Sequence, residues 1–225
     1  MSDKNEAVTL EATLSAMLVR SRKLITSVVI AAVVVIVGAI AGIAVHAKVV
    51  ESGIEQVDTI YYVLTKDAAD VDDAALSARF DDAIAKLGPL SKKSGVVGLR
   101  ASMLLAEIRF DRGEFEQAMA LWLTAAKLKK NVYTSYYSYY NAAVCAENLG
   151  DAEKAASYMD KACESDDFVL IDRALFNLGR LNEAKSDFAA AKLAYERVND
   201  LHPSSNWANL SKSRLIALKS SGKIQ

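Results

Sequence analysis

YYSYYNAAVCAENLGDAEKAASYMDKACES, residues Tyr136 to Ser165, is the stretch whose reading decides the fold. Small and apolar residues recur at helical spacing on both sides of Leu149-Gly150-Asp151, so the pattern predicts a helix, a tight turn and a second helix. The same shape appears upstream in LRASMLLAEIRFDRGEFEQAMALWLTAAKL from Leu99 and downstream in DRALFNLGRLNEAKSDFAAAKLAYERVNDLHP from Asp172. The three starts lie 37 and 36 residues apart. The corresponding turns are Arg112-Gly113-Glu114 and Lys185-Ser186-Asp187. A period of this length marks a repeat array, in which each hairpin buries its apolar face only against its neighbours.

Within the repeat, position decides residue size. Ala106, Ala143 and Gly179 stand in the middle of the first helices, and Ala118, Ala155 and Ala191 near the start of the second. Bulky Trp122, Met159 and Tyr195 come four residues later, followed by Ala125, Ala162 and Val198. Small residues where two antiparallel helices cross let their backbones approach, and the bulky residue fills the space opened beyond.

From Leu99 to Pro203 this pattern resembles the tetratricopeptide repeat (TPR) family, with Pro203 closing the third unit where that family usually has proline. The first two units depart from it by ending in Lys130 and Asp167, and the third turn has Ser186 where glycine is usual. The resemblance implies that four places of each first helix line a concave, peptide-binding side. In the first unit these are Arg100, Met103, Glu107 and Phe110; in the second, Tyr137, Tyr140, Val144 and Glu147; in the third, Arg173, Phe176, Arg180 and Glu183. Such a mixture of aromatic, thioether and oppositely charged groups suits an amphipathic peptide. Capture of a bare carboxylate would need several convergent Lys or Arg side chains.

Five tyrosines fall between Tyr133 and Tyr140, and two readings of them stand. Tyr137 and Tyr140 belong to the implied wall, with Tyr139 between helices and Tyr133 and Tyr136 between repeats. Alternatively all five are structural, since aromatic residues at helical spacing more often face a core.

On either side of the clear repeats the pattern weakens. Residues 46–98 read as a degenerate hairpin, with Lys48 to Thr65 as its first helix and Phe80, Ala83 and Leu87 on its second. Residues 204–225, with Trp207, Leu210, Arg214, Leu215 and Leu218, read as a helix covering the end of the array, which stacked repeats require. The acidic KDAADVDD, from Lys66, lacks the glycine and distal glutamate of a calcium loop and reads as a solvated link with helix-capping aspartates.

LITSVVIAAVVVIVGAIAGIAV, residues 24–45, is a run of 22 residues without a charge. At 1.5 Å per residue it reaches about 33 Å, enough for a hydrocarbon core of about 30 Å, and predicts a transmembrane anchor. A cleaved signal peptide is the competing reading, with Val45-His46-Ala47 as a loose cleavage position, but the run is longer than a signal's apolar core. Lys4, Arg20, Arg22 and Lys23 precede the span, whereas Lys48 stands among Glu51, Glu55 and Asp58 after it. The positive-inside rule then puts residues 1–23 in the cytoplasm and everything from His46 across the membrane. In the 1–23 tail, Leu10, Leu14, Met17 and Leu18 form one stripe of a short amphipathic helix. Gly38 and Gly42 make a G-x-x-x-G pair, read either as a homodimer contact or as the ordinary glycine content of membrane helices.

Composition agrees with an all-α chain: 52% hydrophobic residues, ten glycines and only two prolines. A net charge of −1 gives no field to attract nucleic acid, which is not expected as a partner. Neither His46 nor His202 has a nearby nucleophile, and no metal-ligand spacing or phosphate-cradling loop occurs, so neither an enzyme nor a metal or other cofactor is expected. Cys145 and Cys163, on partner helices, fall about 10 Å out of register and are expected as buried free thiols.

The expected architecture is therefore an N-terminal transmembrane helix followed by a TPR-like α-solenoid (99–203) flanked by the 46–98 hairpin and the 204–225 cap. That order of parts resembles the bacterial YfgM-like family of ancillary Sec-translocon subunits. The resemblance implies location in the bacterial inner membrane with a periplasmic domain. It also implies partners among the translocon, secreted clients and periplasmic chaperones. A structural scaffold docking one fixed partner in an envelope complex is the alternative.

Overall fold

The structure is a computed structural model that describes residues 2–130 and 132–225, and among these the side chains of all but residues 2–12, 14, 18 and 23. The expected stripe through Leu10, Leu14 and Leu18 thus lies outside the described residues; Met17 is exposed. Every regular element described is helical: α1 (Ser2–Thr65), α2 (Asp73–Ser91), α3 (Gly95–Asp111), α4 (Phe115–Leu128), α5 (Tyr133–Asn148), α6 (Ala152–Ala162), α7 (Ile171–Ala184), α8 (Phe188–Leu201) and α9 (Asn206–Ser220), with a 3-10 turn at Ala68–Asp70. Two compact units divide the chain, Met1–Glu51 and Ser52–Gln225.

In the first unit the apolar run has nothing packed on it among the described residues, and its valines and isoleucines are exposed throughout. Leu24–Asp70 contains the one described helix long and apolar enough to cross a membrane. A Cβ built on Gly38 or Gly42 would meet nothing within 4 Å.

The second unit is a stack in which each helix from α2 to α9 packs against the next and α9 also touches α7. Its hairpin turns share one geometry. Gly113 (φ 73), Gly150 (φ 76) and Ser186 (φ 63) all sit in the left-handed region, where a side chain is costly. After them, the N–H groups of Glu114, Asp151 and Asp187 reach back to the carbonyls of Arg109, Ala146 and Asn182 at 2.8, 2.9 and 2.9 Å. This is the Schellman arrangement, which satisfies the last carbonyls of the first helix while reversing the chain. Asp151 and Asp187 then cap α6 and α8 through side-chain oxygens that accept from Lys154 and Ala190 N–H, each at 3.0 Å. One acidic residue therefore both completes the turn and starts the next helix.

The seams are lined as the repeat pattern predicts. Ala106, Ala118, Ala143, Ala155 and Ala191 are all fully buried, with Trp122, Met159 and Tyr195 filling the space beside them. Closest is the third seam, where a Cβ on Gly179 would come within 2.5 Å of Tyr195 Cε1. At the C-terminal end, Leu218 and half-buried Leu215 of α9 close the stack over Tyr195. Leu210 corrects the expected covering face, since it points to solvent.

At the other end, the last turns of α1 bury Val57, Ile60 and Leu64, and α2 buries Ala83, Leu87 and Leu90. Arg79 of α2 donates from Nη1 to the carbonyls of Val63 (3.2 Å) and Lys66 (2.6 Å), satisfying the free end of α1. Between them Asp72 caps α2 by accepting from Ala75 N–H at 2.7 Å, the role expected of this acidic link.

Candidate functional site

The first helices α3, α5 and α7 carry the expected wall, and α1 and α9 extend it at either end. At three of the four steps, all but α3 to α5, successive first helices are joined across it by ion pairs among the described residues. Asp58 of α1 meets the Arg100 guanidinium in a fork. Glu147 of α5 receives Arg180 of α7 bidentately at 2.5 and 2.8 Å. Glu183 of α7 receives Arg214 of α9 at 3.0 and 2.5 Å. Bidentate geometry fixes the planes of both groups, and each pair spans two repeats, so the pairs set the spacing of the wall.

These contacts leave their mark on ionisation. The hydrogen bond from Arg180 holds the Glu147 carboxyl below the usual range, outweighing burial. For Glu183, burial is the largest single influence and pushes upward, but Arg214 and the Tyr195 hydroxyl (2.7 Å) together bring it below the ordinary value. Glu107 behaves oppositely: burial, then the neighbouring Asp111 charge, raise it.

Tyr140 corrects the expected wall. It is only 5% exposed; its hydroxyl accepts from Asn177 Nδ2 at 3.2 Å and the Arg173 guanidinium lies 5.6 Å from its ring centre. It binds α5 to α7 and offers no open surface. Met103, Glu107, Phe110, Tyr137, Val144, Glu147, Phe176 and Glu183 are half-buried, and Arg100, Arg173 and Arg180 are exposed. Phe176 lies against Tyr195 and Trp207, with ring centres 5.6 and 5.3 Å away.

The remaining tyrosines are mostly packing. Tyr133 stacks on Tyr137 with centres 5.9 Å apart, and Tyr137 meets Trp122 edge-on at 5.7 Å. Phe168 takes Tyr133 and Tyr136, and Lys161 lies over Tyr139 at 5.3 Å. Tyr133 is the one of the five that stays exposed, at 49%. Cys145 and Cys163 are buried and free, as expected, and burial pushes both thiols up to about 12.

Openings accompany these features in the second unit. One of about 440 Å³ lies between the end of α1 and α2, beside Ile60, Val63, Leu64 and Leu90. A second, about 620 Å³, lies at the link before α7, beside Asp166, Val169 and Trp207. A third, about 230 Å³, opens on the wall between Tyr61, Arg100, Met103 and Glu107. As residues of the wall, Asp58, Tyr61, Asn177 and Arg214 were missed by the sequence reading. All but Asn177 lie outside the implied repeats, and Asp58, Asn177 and Arg214 are singled out only by a partner on the neighbouring first helix.

Residues 71–132 match a tetratricopeptide repeat family, and residues 173–205 match another. The stack is thus a TPR-like solenoid that matches tetratricopeptide repeats over these spans. The first TPR match begins just before α2 and so takes in the second helix of the expected 46–98 hairpin but not the first. Residues 105–168 also match a domain of unknown function, DUF6340. A TPR repeat-containing protein of Treponema pallidum (strain Nichols) is 34% identical over 152 residues, covering 66% of this chain and 64% of that protein. The chain thus spans somewhat under two thirds of the length of this relative. Among solved structures, MamA superposes with a TM-score of 0.51 at 19% identity, over 68% of this chain and 84% of that one. The apo form of RapI gives 0.54 at 17% identity, over 74% and 60%. At these identities the likeness is one of fold. TPR proteins generally bind other proteins, and no catalytic family is among the matches.

Proposed function

We propose that this protein is a membrane-anchored TPR scaffold whose wall of first helices holds segments of other polypeptides on the outer side of a bacterial inner membrane, in aid of Sec-dependent translocation or periplasmic folding. The observation that carries the reading is the half-buried apolar and aromatic strip of Met103, Phe110, Tyr137 and Val144, flanked by charges already tied to one another. Such a strip supplies contact area without a fixed charge demand, which suits transient hold of many chains. The anchor, residues 24–45, raises the local concentration of the wall at the membrane, so weak contacts suffice. The charge bias around the span supports the orientation, and the order of parts supports the translocon-associated role.

A second reading is a scaffold that docks one fixed partner and dimerises through its anchors, favoured by the open space at Gly38 and Gly42. A photoreactive residue at Met103 or Phe110 of the full chain in cells tests both. Crosslinks to several secreted polypeptides or chaperones are expected. One discrete band supports the second reading, and crosslinks no stronger than from exposed Ser221 overturn the wall as a binding surface.

A further inference from the structure

The two ends of the stack are opposite in charge. Residues 52–91, its first hairpin, hold eight acids against three cations, Lys66, Arg79 and Lys86, a net −5. Residues 203–225, at the far end, hold Lys212, Arg214, Lys219 and Lys223 and no acid, a net +4. In the first hairpin Arg79 is spent on the carbonyls that close α1, and Lys86 on Asp82. Its ion pairs use Asp58, Asp81 and Asp82 and leave Glu55, Asp67, Asp70 and Asp73 without one among the described residues.

The ends also differ in shape. The 440 Å³ opening is a cleft between α1 and α2 that no residue of α3 lines, so it lies on the outer side of the first hairpin and not in the seam with α3. Buried Ile60, Leu64, Ala83 and Leu90 line its depth, and exposed Glu55 stands beside it. The far end is a lone helix. One face of α9 enters the stack; on the other, Leu210, Ser213, Ile216 and Ala217 are exposed at helical spacing, Leu210 by 47% and Ile216 by 69%, with Lys212 and Lys219 alongside. A helix that ends an array ordinarily has a polar outer face.

We propose that the outer face of α9 docks on the α1–α2 cleft of a second copy of this chain, joining the stacks head to tail. Within one chain each hairpin already packs against the helix that follows it, and the joint repeats that packing between chains. Leu210 and Ile216 bring apolar side chains to a cleft with apolar walls, large enough for side chains of one helix face. Lys212 and Lys219 bring positive charge to the unpaired acids of the first hairpin, which orients the contact and makes it sensitive to salt. Because the two surfaces differ, the contact is heterologous and leaves a free end for a further copy. The joint is independent of what the wall holds.

The test uses the full chain in liposomes, as an equal mixture of unlabelled and heavy-isotope copies, with a photoreactive residue at Ile216 of the unlabelled copy. Crosslinks to heavy peptides from residues 52–91 are expected. Lys212→Glu together with Lys219→Glu should lower their yield about tenfold, as like charges brought together at a contact do. Thr59→Trp in the heavy copy, which fills the cleft, should lower it as far while the variant melts at the temperature of the parent. Crosslinks that join α9 to α9, that reach only lipid, or that are no stronger than from exposed Ser157 overturn the inference. A yield unchanged by the charge reversal overturns it as well.

Discussion

Ser186 shows how a single residue bears the geometry of a turn. It adopts φ 63 at a place where the other two turns use glycine, and a Cβ in that region is strained by about 1 kcal/mol. Ser186→Gly is therefore expected to stabilise the stack by about 0.5–1 kcal/mol and Gly150→Ser to destabilise it by about the same, read from urea unfolding of the two variants. Ionisation at the wall separates its acids in the same residue-by-residue way. Glu147 lies below its usual value of 4.5, so its contribution to stability is present above that value and is lost as pH falls through the lowered one. Glu107 lies above 4.5, so its charge costs stability at neutral pH, and the cost disappears as pH falls through the raised value. Melting followed by circular dichroism should find Glu147→Gln less stable and Glu107→Gln more stable than the parent at pH 7. Both differences should vanish in acid once the parent carboxyl is protonated in both states.

Between elements, the closeness of two helices is set at one or two positions. At the α7–α8 seam a methyl group on Gly179 would lie 2.5 Å from Tyr195, which is fully buried and hydrogen-bonded to Glu183, so the ring has nowhere to move. Gly179→Ala is expected to cost about 1–3 kcal/mol by overpacking, and Ala143→Leu in the second hairpin a similar amount. If Gly179→Ala unfolds at the same denaturant concentration as the parent, the seam is looser than described. The helices also hold one another by their ends. Arg79 closes α1, and Asp72, Asp151 and Asp187 open α2, α6 and α8, so the connecting segments act as caps and are short for that reason.

For the whole molecule, the proposed anchor and the stack make separate demands on chemistry. The apolar run is long and apolar enough to cross a bilayer. The proposed orientation is open to a direct check because both native thiols are buried with their pKa raised to about 12, which keeps them silent to alkylation near neutral pH. In intact spheroplasts a membrane-impermeant maleimide should label Ser221→Cys and leave Ser2→Cys unlabelled. The reverse pattern reverses the topology, and with it the proposed periplasmic role.

The sequence by itself determined the helical repeat, the apolar run and the turns, because each is written in local spacing: small residues every repeat, glycine or serine before an acid, 22 residues without charge. Tertiary structure alone decided which wall residues are open and which are spent. Tyr140 reads as a wall residue by position, yet it is sealed by Asn177 and Arg173, which lie more than thirty residues along the chain. Glu147 and Glu183 look alike to Glu107 in sequence, but an arginine from the next first helix reaches each of the former and none reaches the latter. The physical reason is that period fixes the face a side chain points to, whereas its partner is fixed by how far the neighbouring repeat is shifted and rotated, and that depends on the packing of Gly179, Tyr195 and the alanine seams together.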